Sequence, residues 1–122
     1  MTKTEFEESV AKAFDELPPF ILEKMDNVEL LIQPQPNRRD LDAAGVAAGH
    51  TLLGLYNGIP LTRRSSNYAL VPPDTITLFQ HPIEMAARSE PRIVELIRHT
   101  IIHEIAHHFG ISDDRLRELG AY

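Results

Sequence analysis

The sequence predicts an α+β domain in which a short, mostly antiparallel sheet packs on one central helix, with a helix at the N-terminus and a short helix at the C-terminus. Three observations support this fold class. Apolar residues recur at helical spacing near the start, short β-rich runs divided by Pro, Gly and Asn fill the middle, and a long apolar helix occupies the last third. We expect the 122 residues to form a single domain, 1–122.

The composition restricts both the partners and the chemistry. The chain has no cysteine, so a transition-metal site must use carboxylates and its six histidines. A formal charge of −6 disfavours nucleic acid and anionic membranes as partners. The N-terminus is too acidic and polar for a secretory signal, and no apolar run approaches the roughly 18 residues that span a bilayer. We therefore expect a cytoplasmic protein.

The first predicted element is an amphipathic helix over residues 5–17. Thr4 and Glu7 have capping-box spacing, and Pro18 ends the helix. Its apolar residues recur at steps of four, four and three: Phe6, Val10, Phe14 and Leu17. This spacing gives the helix one face to bury.

The middle of the chain predicts strands. Four segments have β-rich composition: 28–32, 51–56, 59–64 and 75–79. Asn57-Gly58 is a hairpin signal that joins the second to the third, and Pro60 favours an edge position for the third. Segments 52–56 and 75–79 are candidates to take up a substrate by strand addition. Residues 35–50 are interpreted as a long loop.

The last third predicts a long helix that begins after Ser89, carries Pro91 in its first turn and continues to Phe109. Its apolar residues cover most of its circumference and leave a narrow polar stripe: Arg92, His99, His103 and His107. Such a helix is expected to be central and packed on several sides. A short helix over 113–119 follows.

The candidate site lies at the end of this helix. His103 and His107 are four residues apart, which places both imidazoles on one helix face, and Glu104 projects about 100° away. Asp113 follows six residues after His107, with Gly110 between them as a residue at which the helix can end and turn back. Two imidazoles, a carboxylate and an open position are the ligand set of a hydrolytic zinc site. Glu104 would then act as general base in peptide or amide hydrolysis.

Several alternatives remain open at this stage. Asp114 or Glu118 could replace Asp113 as the third ligand, and Ser112 and Asp113 could simply cap the terminal helix. His99 and His103 form a rival pair, although Thr100 stands where a glutamate would be needed. The histidines of the motif could also be satisfied, half-buried residues without a metal.

The remaining polar candidates have weaker support. His108 is interpreted as a packing or surface residue, and no role is assigned to His50 or His81. Tyr56, or one of the arginines at 63 and 64, could stabilise an oxyanion if the hairpin lies beside the cleft, but their interpretation as solvated edge-strand residues is favoured.

The segment from His103 to Asp113 reads HEIAHHFGISD and resembles the zincin metallopeptidases, with the pattern HExxHxxGxxD. Together with residues 53–64 and 73–79, it makes nearly the whole chain similar to the small bacterial zincin-like metallopeptidases, often called minimal zincins. The resemblance implies Zn²⁺ on His103, His107 and Asp113, with Glu104 as general base. It also implies a zincin-like minimal domain whose short sheet packs on the motif helix.

Two functions are consistent with the sequence. The first is a zinc-dependent metallopeptidase that acts on peptides or unfolded proteins. The alternative is a catalytically silent metal-binding or regulatory module with a zincin fold. Substitution of Glu104 separates them, because only the enzyme requires a general base.

Overall fold

A computed structural model describes residues 1–46, 51–58 and 72–121. Within these residues the chain forms six helices and three strands. In chain order they are α1 (Lys3–Asp15), α2 (Pro19–Lys24), β1 (Val28–Gln33), α3 (Arg38–Ala43), β2 (Gly54–Asn57), β3 (Asp74–Phe79), α4 (Gln80–Ala87), α5 (Glu90–His108) and α6 (Asp113–Glu118). None of the helices in the described ranges is long and apolar enough to cross a membrane.

The sheet has the order β1-β3-β2. β3 pairs in parallel with β1, where Val28 lies opposite Asp74, and antiparallel with β2, where Gly54 lies opposite Leu78. The expectation of a mostly antiparallel sheet thus holds for one of the two described ladders. A parallel pair needs a long crossover connection, and the chain between β1 and β3 supplies it.

The same strand order excludes one of the two candidates for strand addition. β3 lies between β1 and β2, so the segment 75–79 is central rather than at an edge, whereas β2 ends the described sheet. β2 also pairs with β3 and not, within the described residues, with a return strand directly after Asn57-Gly58. The predicted return strand 59–64 lies outside the described residues.

α5 is the centre of the domain and packs against α1, α2, α4, β2 and β3. Its buried residues lie on several sides: Ile93, Val94, Ile97, Thr100, Ile101, Ile102, Ile105 and Ala106. Partners from the sheet include Ile76 and Leu78, both with no exposed surface. The predictions of an α+β class and of a central helix are confirmed. Ser89 occupies the predicted N-cap position, although its side chain makes no capping hydrogen bond.

The N-terminal helix begins two residues earlier than predicted. Thr2 and Glu5 form its capping box, because the Glu5 N–H donates to Thr2 Oγ1 at 3.1 Å and the Thr2 N–H donates to Glu5 Oε1 at 2.8 Å. The sequence offers this spacing twice, and the earlier pair is used. Of the predicted apolar face, Phe6 is fully buried, but Phe14 is 37% exposed.

α3 and α4 are helices that the sequence did not predict. α3 lies inside the segment interpreted as a loop and is capped by Asn37, whose side chain accepts from the Asp40 N–H at 2.8 Å. α4 follows β3 directly, with Pro82 in its first turn, where a proline is tolerated because its missing N–H has no intrahelical partner.

Candidate metal centre

The last turns of α5 place His103 and His107 on one face of the helix. Their ring centroids are 5.9 Å apart, with the rings nearly perpendicular at 82°. The four-residue step produces this arrangement, because residues i and i+4 of a helix lie one above the other. Both imidazoles are therefore directed to the same side of α5.

The turn after α5 brings the chain back toward these histidines. Gly110 has a left-handed φ of 71°. The Ile111 N–H donates to the carbonyl of Ala106 at 2.8 Å, and the Gly110 N–H donates to that of His107 at 3.3 Å. These two bonds define a Schellman motif, which satisfies terminal carbonyls of the helix and reverses the chain. The predicted helix end at Gly110 is confirmed.

Asp113 begins α6 immediately after this turn. Ser112 is the N-cap, and its Oγ accepts from the Arg115 N–H at 3.1 Å. The Asp113 carboxylate is half exposed, and its Oδ1 lies 3.9 Å from Nδ1 of His103. One ligand atom from each of His103, His107 and Asp113 can be chosen so that all lie within 4.8 Å of one another.

This donor set fits a zinc ion. Tetrahedral ligands at about 2.1 Å from a metal are separated from one another by about 3.4 Å. The spacing within 4.8 Å is wider, but His107 and Asp113 are exposed and can rotate toward an ion without disturbing the core. Two imidazoles with one carboxylate also match the three-ligand zinc sites that keep a position for water or substrate.

Burial lowers the pKa of His103 below its ordinary value, and the neighbouring imidazoles of His99 and His107 lower it further. Asp113 and Glu104 act in the opposite direction through their negative charge. The side chain of His103 is 20% exposed. The site therefore favours neutral imidazole at His103, the form that donates to a metal.

The other acidic residues of α6 form ion pairs of their own. Asp114 Oδ1 accepts from Arg117 at 3.1 Å, and Glu118 Oε2 accepts from Arg115 at 2.9 Å. In the described part of the chain, the group that combines three metal-binding side chains contains Asp113 and neither of these two. The proximity thus favours Asp113 among the three candidates.

Glu104 lies on the side of α5 that faces the sheet. Its Oε1 accepts a hydrogen bond of 2.9 Å from the backbone N–H of Tyr56 in β2. The sequence analysis missed this contact, because the two residues are 48 positions apart and no local pattern connects them. The signal that could have found it is a pair of glycines, Gly54 and Gly58, on either side of Tyr56.

The side chain of Tyr56 is fixed by two neighbours. Its hydroxyl donates to Asp74 Oδ2 at 2.6 Å, and its ring stacks on His108 with centroids 3.9 Å apart. His108 Nε2 lies 3.9 Å from the same carboxylate oxygen, so the prediction of a packing role for His108 agrees with the structure. The hydroxyl of Tyr56, a candidate for oxyanion stabilisation, is thus hydrogen-bonded to Asp74.

The remaining sequence candidates lie apart from this centre or beyond the described ranges. The ring of His99 packs against His103 with centroids 4.2 Å apart, beside the three-residue group rather than within it. His81 is an exposed residue of α4. His50 and the arginines at 63 and 64 lie outside the described residues.

Comparison with known proteins adds one finding. A family model described as zincin-like metallopeptidase matches residues 25–121, a range that contains the sheet, the central helix and the candidate centre. A search among curated proteins gave no match.

Proposed function

This chain belongs to the zincin-like metallopeptidase family, and we propose that it is itself a zinc-dependent peptidase that hydrolyses peptide or amide bonds at the centre formed by α5 and α6. The observation that carries the proposal is the convergence of His103, His107 and Asp113, with Glu104 on the same helix. Metal-dependent peptidase activity is the function that the family shares. The identity of the metal and the roles of individual residues are our inference.

In this proposal His103, His107 and Asp113 hold the metal. Burial and the adjacent imidazoles lower the pKa of His103, which keeps its ring neutral and able to donate. Zinc in such a site acts as a Lewis acid and lowers the pKa of a bound water to about 7. The position of His107 and Asp113 at the surface leaves the centre accessible to a substrate.

Glu104 is the proposed general base. Its carboxylate accepts a proton as the amide bond is attacked and returns it to the leaving amine, a contribution of about 10²–10⁴ in rate for a well-placed group. One carboxylate oxygen accepts the Tyr56 N–H, which leaves the other for the transferred proton. The hydrogen bond also limits the conformations of the Glu104 side chain, which must be oriented toward the reacting atoms.

The proposed substrates are short peptides or unfolded protein segments. A centre at the surface of a domain of 122 residues suits an extended chain better than a folded partner. We place the reaction in the cytoplasm and treat residues 1–122 as one catalytic domain, in agreement with the composition.

Metal analysis tests the ligand assignment. Protein purified without added zinc should contain about one equivalent of metal, and His103→Ala should lose it. His81→Ala is the matched control, since it removes an exposed histidine of α4 and should retain the metal. Metal far below one equivalent, or equal metal in His103→Ala and wild type, would contradict the site.

Glu104→Gln tests the reaction. The zinc-loaded variant should retain its metal and lose cleavage of a denatured protein mixture, followed by mass spectrometry, by about 10²-fold or more. Cleavage that survives in Glu104→Gln contradicts the proposed base. A wild-type protein that binds zinc and cleaves nothing supports the silent binding module instead.

A further inference from the structure

β2 runs alongside α5 with a matched repeat. Contacts recur every two residues of the strand and every four residues of the helix. The facing pairs are Gly54 with Thr100, Tyr56 with Glu104, and Gly58 with His108. Two strand residues span about 6.8 Å and four helix residues span 6.0 Å, so the strand and the helix stay in step over this distance.

The close approach depends on Gly54. A Cβ atom at this position would lie 2.7 Å from Cγ2 of Thr100 and 3.2 Å from the backbone oxygen of Thr77. The first distance is shorter than real contacts allow, and the residue is buried between the helix and β3. A side chain at position 54 must therefore displace β2 or the side chain of Thr100.

The pairing of β2 with β3 leaves the N–H of Tyr56 directed away from the sheet. In an antiparallel ladder, alternate residues bond to the partner strand. The Phe79 N–H donates to the carbonyl of Leu53 at 3.0 Å. Leu53 and, two residues later, Leu55 are therefore the residues whose backbone groups bond to β3. The Tyr56 N–H then points outward, where Glu104 accepts it.

Both ends of Tyr56 are held in place. Its hydroxyl donates to Asp74, whose side chain is 13% exposed, and its ring stacks on His108 of α5 at an interplanar angle of 16°. The ring joins β3 to the end of α5, while the backbone joins β2 to the middle of the motif. These contacts fix the amide relative to Glu104.

We infer that Tyr56 is a positioning residue for Glu104, which acts through its backbone N–H, and that Gly54 is required because it lets β2 carry that N–H to the carboxylate. The inference rests on the proposed role of Glu104 as general base. It adds a requirement that the metal ligands do not share: the sheet must stay in register with α5 for catalysis, but not for metal binding.

Amide hydrogen exchange in the metal-free protein tests the contact directly. Hydrogen bonds to charged groups contribute enough that the Tyr56 amide should exchange about tenfold or more faster in Glu104→Ala. The Leu55 amide, directed to β3, is the internal control and should keep its rate. Glu104→Gln should restore much of the protection, because its amide oxygen still accepts. Equal Tyr56 rates in wild type and Glu104→Ala, or equal acceleration of Leu55, would overturn the inference.

A compensating pair tests the consequence for catalysis. In zinc-loaded protein, Gly54→Ala should lower kcat for peptide cleavage by about tenfold, the loss of one hydrogen bond to a charged group. Its KM and zinc content should stay near wild type. Adding Thr100→Ser removes the clashing methyl group and keeps the hydroxyl that donates to the Leu96 carbonyl at 2.7 Å, so the double variant should recover part of kcat.

The outcomes separate this inference from the proposed function. A Gly54→Ala variant with unchanged kcat, beside an inactive Glu104→Gln, overturns the positioning role and leaves the peptidase intact. If the wild-type protein shows no turnover, the proposed peptidase function is wrong. The exchange rate of the Tyr56 amide then still tests its hydrogen bond to Glu104. Thr100→Ser alone is the control for the pair and should cleave like wild type. If Gly54→Ala does not fold, the exchange comparison in the Glu104 variants decides.

Discussion

The candidate centre has two sides that are built in different ways. On the ligand side, the three proposed metal ligands come from α5 and α6 within eleven residues, joined by a turn at Gly110. On the base side, Glu104 is held by an amide of β2 that is 48 residues away in the chain. The first side depends on local chain geometry, and the second on how the sheet packs against the helix. Metal binding and catalysis should therefore respond to different substitutions.

The two sides also differ in exposure. Two of the three ligands, His107 and Asp113, are exposed, whereas Gly54 is buried and the side chain of Asp74 is 13% exposed. Ligands at the surface can adjust to an ion, but the base side must already be in place before the reaction, since its position follows from core packing. Substitutions that separate the two sides make this comparison testable.

The largest effect is expected on the ligand side, for Asp113→Ala. Changes to residues that merely support metal ligands cost about 10–100-fold in affinity, so loss of a ligand should exceed 100-fold. Asp114→Ala is a matched control, because both residues are acidic and lie in the first turn of α6, where each interacts favourably with the helix dipole. Competition with a chromophoric chelator measures both variants. Equal zinc affinity in the two would remove Asp113 from the site.

A smaller effect is expected at the turn. In Gly110→Ala the new Cβ meets nothing within 4 Å, so the cost comes from the left-handed φ of 71°. This conformation costs most residues about 1–2 kcal/mol. Gly110→Asn should cost less, because asparagine tolerates the left-handed region. Urea unfolding of the metal-free variants measures the difference. The Tyr56 amide should keep its exchange rate, since the base side is not involved, and a change there would contradict the separation.

The sequence predicted the ligand side more completely than the base side, for a physical reason. Three features of the ligand side follow from rules that act over a few residues. They are the shared helix face of His103 and His107, the left-handed conformation of Gly110 and the N-cap at Ser112. A backbone amide from β2 that reaches Glu104 depends on tertiary packing, which spacing does not encode.

The same contrast applies to the fold. The central helix, the short sheet and the α+β class follow from periodicity and composition, and the structure agrees with them. The parallel pairing of β1 with β3 depends on a crossover whose path the sequence does not specify. α3 is different, because its capping box, Asn37 and Asp40, is a local pattern that the sequence itself contains.

The smallest expected effect concerns the hydroxyl of Tyr56. Its hydrogen bond of 2.6 Å to Asp74 anchors the ring, and removal by Tyr56→Phe should lower the free energy of unfolding by about 1 kcal/mol. Asp74 also lies near His108, so Asp74→Ala removes more than one interaction. A double-mutant cycle isolates the pair, and we expect a coupling of about 0.5–1.5 kcal/mol by urea unfolding.

Zinc affinity should be the same in all three variants of the cycle, because the anchor belongs to the base side. In Tyr56→Phe the ring can still stack on His108, so the backbone N–H of residue 56 should stay near Glu104 and its exchange should change little. In the double variant His108, on which the ring of residue 56 stacks, also loses Asp74 as a neighbour, so exchange at residue 56 should accelerate. Weakened zinc binding in any of these variants would instead mean that the two sides are one unit, and additive effects on stability would mean that the hydrogen bond between Tyr56 and Asp74 contributes nothing.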